Sequence, residues 1–435
     1  MLTHKITSGI NGDILIPGDK SISHRSIIIP SISNGVCEVD NILKSEDVIH
    51  TMNAFKAMGV NIEEYKQKLI IYGKGLNSLE KPNKEIYLGN SGTSARLLTG
   101  LLASQNFNSI LIGDKSLSSR PMKRISEPLI NMGARISTNN GLMPISIEGS
   151  KLKNSEINIK IPSAQIKSGL LLASLKTEGI TKIIEESITR NHTEIMLESF
   201  NADIKINKLD EKTIILVKGC KELESKNIDV PSDLSSSAFF IVAALINKNS
   251  KLIIRNININ PTRDGIIHAL KKMGANISLH NKRYKNNEIV YDLEVTSSDL
   301  NGCELDSNVA KLMIDEYPIL SIAASFAKSP SVFRGLGELR VKESDRLELI
   351  NTNLKRCGVG CEIKDDDLFI YPEDNYKIKN NEIITDYDHR IAMAFIIMGS
   401  KIGNLSIREA ECINTSFPSF KDEFVKAGGL ISWKI

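Results

Sequence analysis

Apolar residues recur along this chain at the three-to-four spacing of a core-facing helix. Val48, Met52 and Phe55 make one such stripe, Ile266, Leu270 and Met273 another, and Leu347, Ile350 and Leu354 a third. Six helical stretches close on the same short phrase: Gly or Asn, then an apolar residue three positions later. The copies read Met58-Gly59-Val60-Asn61-Ile62, Met132-Gly133-Ala134-Arg135-Ile136, Phe200-Asn201-Ala202-Asp203-Ile204, Met273-Gly274-Ala275-Asn276-Ile277, Cys357-Gly358-Val359-Gly360-Cys361 and Ala427-Gly428-Gly429-Leu430-Ile431. Gly, and less often Asn, takes the left-handed conformation that ends a helix. The alternation that follows predicts a strand. Further β-rich runs lie between the helices, at Lys68–Tyr72, Ile110–Ile112, Thr213–Val217 and Lys251–Ile254. The Gly or Asn positions are 74, 68, 73, 84 and 70 residues apart. A unit of that length holds two helices and several strands. It predicts an α/β (α+β) repeat and not a thin solenoid, whose period is roughly 20–50 residues.

At 435 residues the chain exceeds one ordinary core, so six units predict two domains of roughly 200 residues each. Pro17-Gly18-Asp19-Lys20 and Pro231-Ser232-Asp233-Leu234 are the breaks where the chain is expected to cross between them. The expected division is residues 20–231 as one domain and residues 1–19 with 232–435 as the other. A single cut near residue 235, with no swapped N-terminal strand, is the alternative.

Composition narrows the class. Hydrophobic content of 41% and charged content of 25% are those of a globular protein, and a net charge of +3 lacks the excess of a general nucleic-acid or membrane-surface binder. The longest strongly apolar run, Ala238 to Ile246, is too short to span a bilayer, and the start, MLTHKITSGI, lacks the apolar core of a signal peptide. A cytoplasmic protein is expected. The six cysteines are scattered, and Cys357 and Cys361 have no His cluster beside them, so buried free thiols are expected and no metal.

Charge is local, not global. Gly18-Asp19-Lys20-Ser21-Ile22-Ser23-His24-Arg25 departs from a nucleotide phosphate loop, which needs Gly next to Lys. Lys20 and Arg25 with two hydroxyls at a helix start still suit an anion, although a capped, solvated helix start has the same pattern. Leu88-Gly89-Asn90-Ser91-Gly92-Thr93-Ser94-Ala95-Arg96 permits close backbone approach to a ligand. Ser118-Ser119-Arg120-Pro121-Met122-Lys123-Arg124 adds cations, or a plain surface charge run. Pro162-Ser163-Ala164-Gln165 adds a hydroxyl and an amide, and Thr189-Arg190-Asn191-His192-Thr193 another cation. The second half brings acids. Asp315 precedes an apolar helix, where it could be an N-cap. In Leu339-Arg340-Val341-Lys342-Glu343-Ser344-Asp345-Arg346-Leu347-Glu348, Lys342 and Arg346 would share one helix face with Glu343 beside them. Thr385-Asp386-Tyr387-Asp388-His389-Arg390 completes the set. No Ser-His-Asp set or dinucleotide Gly pattern accompanies them, and acid–base chemistry on phosphorylated carboxylic acids fits best.

These segments, in order, resemble the 5-enolpyruvylshikimate-3-phosphate synthases of the enolpyruvyl transferase family. GDKSISHR, LGNSGTSAR, SSRPM, PSAQIKSGLLLA, PSDLSSSAFF, ELRVKESDRL and DYDHRIAMA carry the likeness across the whole chain. The resemblance implies two domains of three βαβαββ units each, joined by two crossings, with the site in the cleft and closure on binding. It implies transfer of the enolpyruvyl group of phosphoenolpyruvate to the 5-hydroxyl of shikimate 3-phosphate, through a tetrahedral intermediate, with phosphate released. Lys20, Gly92, Arg120, Gln165, Arg346 and Arg390 would contact phosphoenolpyruvate. Lys20, Ser21, Arg25, Ser163, Ala164, Gln165, Arg190, Asp315 and Lys342 would contact shikimate 3-phosphate. Asp315 would accept the hydroxyl proton, Glu343 would protonate the methylene carbon, and Lys20 would assist. The resemblance implies no cofactor, no nucleic-acid or membrane partner, and a monomer. Many members carry Lys two residues before Phe-Pro near the C-terminus; here that position is Thr415.

Two other readings share the fold. A UDP-N-acetylglucosamine enolpyruvyl transferase would carry a reactive Cys in a loop that here reads Lys115-Ser116-Leu117-Ser118-Ser119-Arg120. An RNA-end-processing protein would show basic excess and interleaved aromatics, against 5% aromatic content here.

Overall fold

The computed structural model describes residues 1–66, 68–209, 212–373 and 376–433. Each of the six phrases closes a helix. Gly59, Gly133, Asn201, Gly274, Gly358 and Gly428 have φ of 83°, 98°, 62°, 89°, 87° and 103°. The residue after each donates its backbone N–H five positions back, as from Val60 to the Phe55 carbonyl at 3.1 Å and from Val359 to that of Leu354 at 2.9 Å. This is the Schellman closure, which satisfies orphan carbonyls and turns the chain into a strand.

Among the described residues the strands form six four-stranded sheets, and each phrase leads into an edge strand of one of them. The pattern is a parallel pair extended by an antiparallel hairpin. In the second sheet Ile86–Tyr87 lies parallel to Ser109–Ile112, with Leu142–Glu148 and Arg135–Asn139 antiparallel beyond. Three sheets borrow strands from distant sequence. Ile228–Asp229 pairs with Asn34–Asp40, and Asn11–Ile14 pairs with Lys251–Asn258. Leu2–His4 supplies the hairpin partner of Leu430–Ser432.

Two compact units result: Met1–Pro17 with Pro231–Arg283 and Ile289–Ile435, and Gly18–Val230 with Tyr284–Glu288. The inclusion of Tyr284–Glu288 in the second unit is not part of the sequence reading. Asn286 holds it there, accepting from the Asp229 backbone N–H at 2.8 Å and donating to the Asn227 carbonyl at 3.0 Å. Each unit has its own apolar core. In the first unit the helix Leu234–Ile246 is buried along its whole length. In the second, helices Lys20–Ser31, Gly92–Ala103 and Ala164–Ser174 are buried on nearly all faces.

The last two of those helices approach closely. A Cβ at Gly100 would collide with the Gly169 carbonyl oxygen, a backbone atom that cannot swing aside. Gly100→Ala is therefore expected to destabilise the protein by about 1–3 kcal/mol, as overpacking does. A urea midpoint equal to that of the parent would contradict this. Five of the six cysteines are buried and Cys220 is partly buried; burial pushes the thiols of Cys37 and Cys357 up to about 12 and those of Cys303 and Cys361 up to about 11. No helix among the described residues is long and apolar enough to cross a membrane.

Candidate active site

In the unit containing Gly18–Val230, candidate residues gather at the starts of its buried helices. Asp19 caps Lys20–Ser31 by accepting from the Ile22 backbone N–H at 2.8 Å. Lys20, the first helical residue, opposes the helix dipole, and Asp47 in the first turn of helix Glu46–Ala57 pairs with it. Lys20 keeps 21% of its side chain exposed. Arg25 is buried and donates from Nε to Thr193 Oγ1 at 2.6 Å, from Nη1 to the Ser21 carbonyl at 2.7 Å and from Nη2 to Ser168 Oγ at 2.6 Å. Burial pulls its pKa down to about 10, against the pull of Glu194 and Asp19 and with a push from Arg190. Arg25 thus stays charged at neutral pH while its hydrogen bonds go to neutral oxygens, which suits a cation that meets an anion.

His24, beside it, is neutral: burial, with Lys20 and Arg25 nearby, holds its pKa well below the ordinary value. Its Nδ1 faces Thr51 Oγ1 at 2.7 Å, and that hydroxyl faces Ser94 Oγ at 2.6 Å. The chain of hydroxyls ends at Ser91, the N-cap of helix Gly92–Ala103.

At that helix start, Arg96 Nη1 donates to Gln165 Oε1 at 2.7 Å, and Gln165 Nε2 donates to Thr93 Oγ1 at 3.0 Å. Gln165 thus joins two helices, and Gly92 sits against the cations. A Cβ there would lie 2.8 Å from Arg96 Nη1 and 3.1 Å from Arg120 Nη1. Arg120 Nη2 donates to Asn90 Oδ1 and to Ser116 Oγ, the latter at 3.2 Å. Its Nε is buried with no hydrogen-bond partner among the described residues, a costly state that a ligand acceptor would relieve. Ser163 is the N-cap of the helix that opens with Ala164, its Oγ accepting from the Ile166 N–H at 3.4 Å. Arg190 is half-buried between strand Ile180–Glu185 and helix His192–Ser199.

In the other unit the acids and cations meet around one guanidinium. Arg346 is buried, with Nε on Asp388 Oδ2 at 2.7 Å and Nη1 on Asp315 Oδ1 at 3.1 Å. Its Nη2 faces Glu343 Oε2 at 2.5 Å as an ion pair without hydrogen-bond alignment. Burial works against the charge, but Asp388, Glu343 and Asp315 together outweigh it and raise the pKa above the usual guanidinium value. Lys342 Nζ reaches the same Asp315 Oδ1 at 3.2 Å. Arg390 Nη1 donates to the Asp315 carbonyl at 3.0 Å and to Ser235 Oγ at 2.8 Å.

Two local expectations are corrected here. Lys342 and Arg346 do not share a helix face. Lys342 ends the 3-10 turn Gly337–Val341, and the α-helix begins only at Arg346, capped by Asp345. Asp315 is not an N-cap. It lies inside the 3-10 turn Ile314–Glu316, and Glu316 precedes the helix Tyr317–Ser325. Lys342 and Arg346 instead converge on Asp315 through tertiary placement. Thr415 donates to the Cys412 carbonyl at 2.8 Å and stands 3.3 Å from His389 Nδ1.

Several positioning residues were not singled out by the sequence. Asp47 resembles any first-turn helix acid, and Asp388 any N-cap. Arg96 carried the only available signal, a cation inside an otherwise apolar helix, and Lys167 shares it.

Comparison with known proteins places these features in context. Residues 4–424 match the family model described as EPSP synthase (3-phosphoshikimate 1-carboxyvinyltransferase). A 3-phosphoshikimate 1-carboxyvinyltransferase of Geobacter metallireducens is 45% identical over 96% of this chain and 97% of its own length. That of Legionella pneumophila (strain Philadelphia 1) is 46% identical over 94% of each. Among solved structures, EPSP synthase from Acinetobacter baumannii superposes with a TM-score of 0.86 at 40% identity, covering 98% of this chain and 97% of that one. The enolpyruvyl transferase NikO from Streptomyces tendae, at 15% identity and a TM-score of 0.78, shares the fold, with 99% of this chain and 97% of that one covered.

Proposed function

The chain belongs to the EPSP synthase family, and from that membership we propose how its own residues carry the family's reaction. The protein is a 3-phosphoshikimate 1-carboxyvinyltransferase of aromatic amino acid biosynthesis: it moves the enolpyruvyl group of phosphoenolpyruvate onto shikimate 3-phosphate and releases phosphate. The acceptor-substrate reading of the sequence is retained, and the sugar-nucleotide alternative is not favoured.

The observation that carries the proposed roles is the convergence of Asp315, Lys342, Glu343 and Arg346 within ion-pair range. Asp315 accepts the proton of the 5-hydroxyl. A carboxyl group must be ionised to accept that proton, and the two cations on its Oδ1 stabilise the charge. Glu343, which takes up a proton for this step, delivers it to C3 as the freed oxygen bonds to C2 of phosphoenolpyruvate, giving a tetrahedral carbon. The Glu343 carboxylate then takes a proton back from C3 as the C2–O bond to phosphate breaks, which restores the double bond. Positioned acids and bases of this kind give about 10²–10⁴-fold each.

Arg120, Arg346, Arg390 and Lys20 meet the charges of phosphoenolpyruvate, with Gly92 and Gln165 beside them. Arg25, Arg190, Ser21, Ser163, Ala164, Gln165, Lys20 and Lys342 hold shikimate 3-phosphate. Two polyanions repel one another, and guanidinium forks offset that repulsion while fixing orientation. No cofactor enters these steps, and the small-molecule pair is the only partner the proposal needs.

A coupled phosphate-release assay tests the assignment. Phosphate is expected from phosphoenolpyruvate only when shikimate 3-phosphate is added, and none when UDP-N-acetylglucosamine replaces it. Folded protein inactive with shikimate 3-phosphate would refute the reading. Gly92→Ala tests the phosphoenolpyruvate contacts. Its methyl crowds Arg96 Nη1 and Arg120 Nη1, so KM for phosphoenolpyruvate is expected to rise about tenfold or more, the scale of one weakened charge-assisted hydrogen bond. An unchanged KM would remove Gly92 from that site.

A further inference from the structure

Behind Arg25 lies a buried ion cluster that the proposed chemistry does not use. Lys167 is 1% exposed, and its Nζ is 3.0 Å from Glu185 Oε2 and 2.8 Å from Glu194 Oε1. The same ammonium donates to the Thr189 carbonyl at 3.2 Å, and the Thr189 hydroxyl donates to Glu185 Oε1. A buried ion pair is poor evidence of added stability, because desolvation offsets most of the Coulomb gain. Its placement says more. Lys167 precedes Ser168 and Glu194 follows Thr193, and those two hydroxyls accept from Arg25 at 2.6 Å each and bond to one another at 2.7 Å. Thr189 precedes Arg190, whose loop is thus clamped from Lys167 and Glu185.

The charge count gives the cluster its leverage. Two carboxylates and one ammonium leave one surplus negative charge, and Glu194 Oε2 is buried with no hydrogen-bond partner among the described residues. Glu194 is the charge that acts most strongly on Arg25. With Lys167 in place, the carboxylates are held by the ammonium, and Arg25 keeps its neutral partners. Without it, Glu194 would lose its cation and be left to act on Arg25 uncompensated.

We propose that Lys167 is a positioning residue that, by pairing with both Glu185 and Glu194, keeps Arg25 and the Arg190 loop set for the anionic acceptor substrate. The proposal rests on the assignment of Arg25 and Arg190 to shikimate 3-phosphate. A residue acting in this way affects one substrate only. It does not touch the Gly92, Arg96 and Arg120 group, and it holds no reacting atom.

Steady-state kinetics of Lys167→Met and of Lys167→Met with Glu185→Gln provide the test, with the wild type as control for the underlying assignment. A raised KM for shikimate 3-phosphate in Arg25→Lys, measured against wild-type turnover, establishes that reading independently of Lys167. In Lys167→Met, KM for shikimate 3-phosphate is expected to rise at least about tenfold, while KM for phosphoenolpyruvate and kcat stay within about threefold. The double variant, which restores the net charge of the cluster, is expected to recover most of that loss. If Lys167→Met does not fold, Lys167→Gln, which keeps two N–H donors for the carboxylates, is measured in its place with the same expectation. An unchanged KM for shikimate 3-phosphate, a parallel rise for both substrates, or failure of the double variant to recover would each overturn the proposal.

Discussion

Asp315→Ala protein is expected to fold normally and to turn over at about one-hundredth of the wild-type rate or less, the loss that follows removal of a positioned proton acceptor. The fold should survive for local reasons. The contact that ties this turn to Arg390 uses the Asp315 backbone carbonyl, which alanine retains. Arg346 keeps Asp388 and Glu343. The side chain is therefore dispensable to packing and, on the proposed mechanism, indispensable to chemistry. Asp315→Asn separates shape from charge: it fills the same volume without the charge and is expected to be as slow. Phosphate release measured at saturating substrates decides the matter, and near-normal kcat in either variant would reject the acceptor role.

Arg346→Met should produce the largest loss of stability of any substitution at the site, about 3–5 kcal/mol, because it leaves the buried Asp388 carboxylate without its cation. Asp388 is fully buried, and it also caps helix His389–Ile402 and accepts from Ser344 Oγ at 2.9 Å. The loss therefore spreads into two elements at once. Arg346→Lys preserves the charge but not the fork. One ammonium cannot stand where Nε, Nη1 and Nη2 now meet three separate carboxylates, so partial stability and greatly reduced turnover are expected. Urea denaturation followed by circular dichroism checks the first part. A shift below about 1 kcal/mol for Arg346→Met, the size of an ordinary substitution, would show that the carboxylates are neutralised by something else.

The two variants also show how the site divides between sequence and structure. The charged segments announce themselves: a run such as RVKESDR, or Lys20 and Arg25 around two hydroxyls, stands out in a chain of nearly balanced charge. Their partners do not. Asp388 lies 42 positions from Arg346, Asp315 lies 31, and Glu185 lies 18 from Lys167. The helical reading of Lys342 and Arg346 failed for the same reason. Their four-residue spacing suggests a common helix face, but their shared contact with Asp315 is made from the end of a 3-10 turn and a helix start that meet a third element.

The sequence by itself determined the six helix closures, the strands that follow them and the residues at helix starts. These depend on hydrogen bonds that reach only about five positions along the chain and on the left-handed freedom of Gly and Asn. The sequence placed residues 1–19 with residues 232–435, but only the tertiary structure decided which sheets Leu2–His4 and Asn11–Ile14 complete. It also decided which carboxylate meets which cation. Coulomb energy depends on separation in space and on burial, and neither quantity is written into the order of residues.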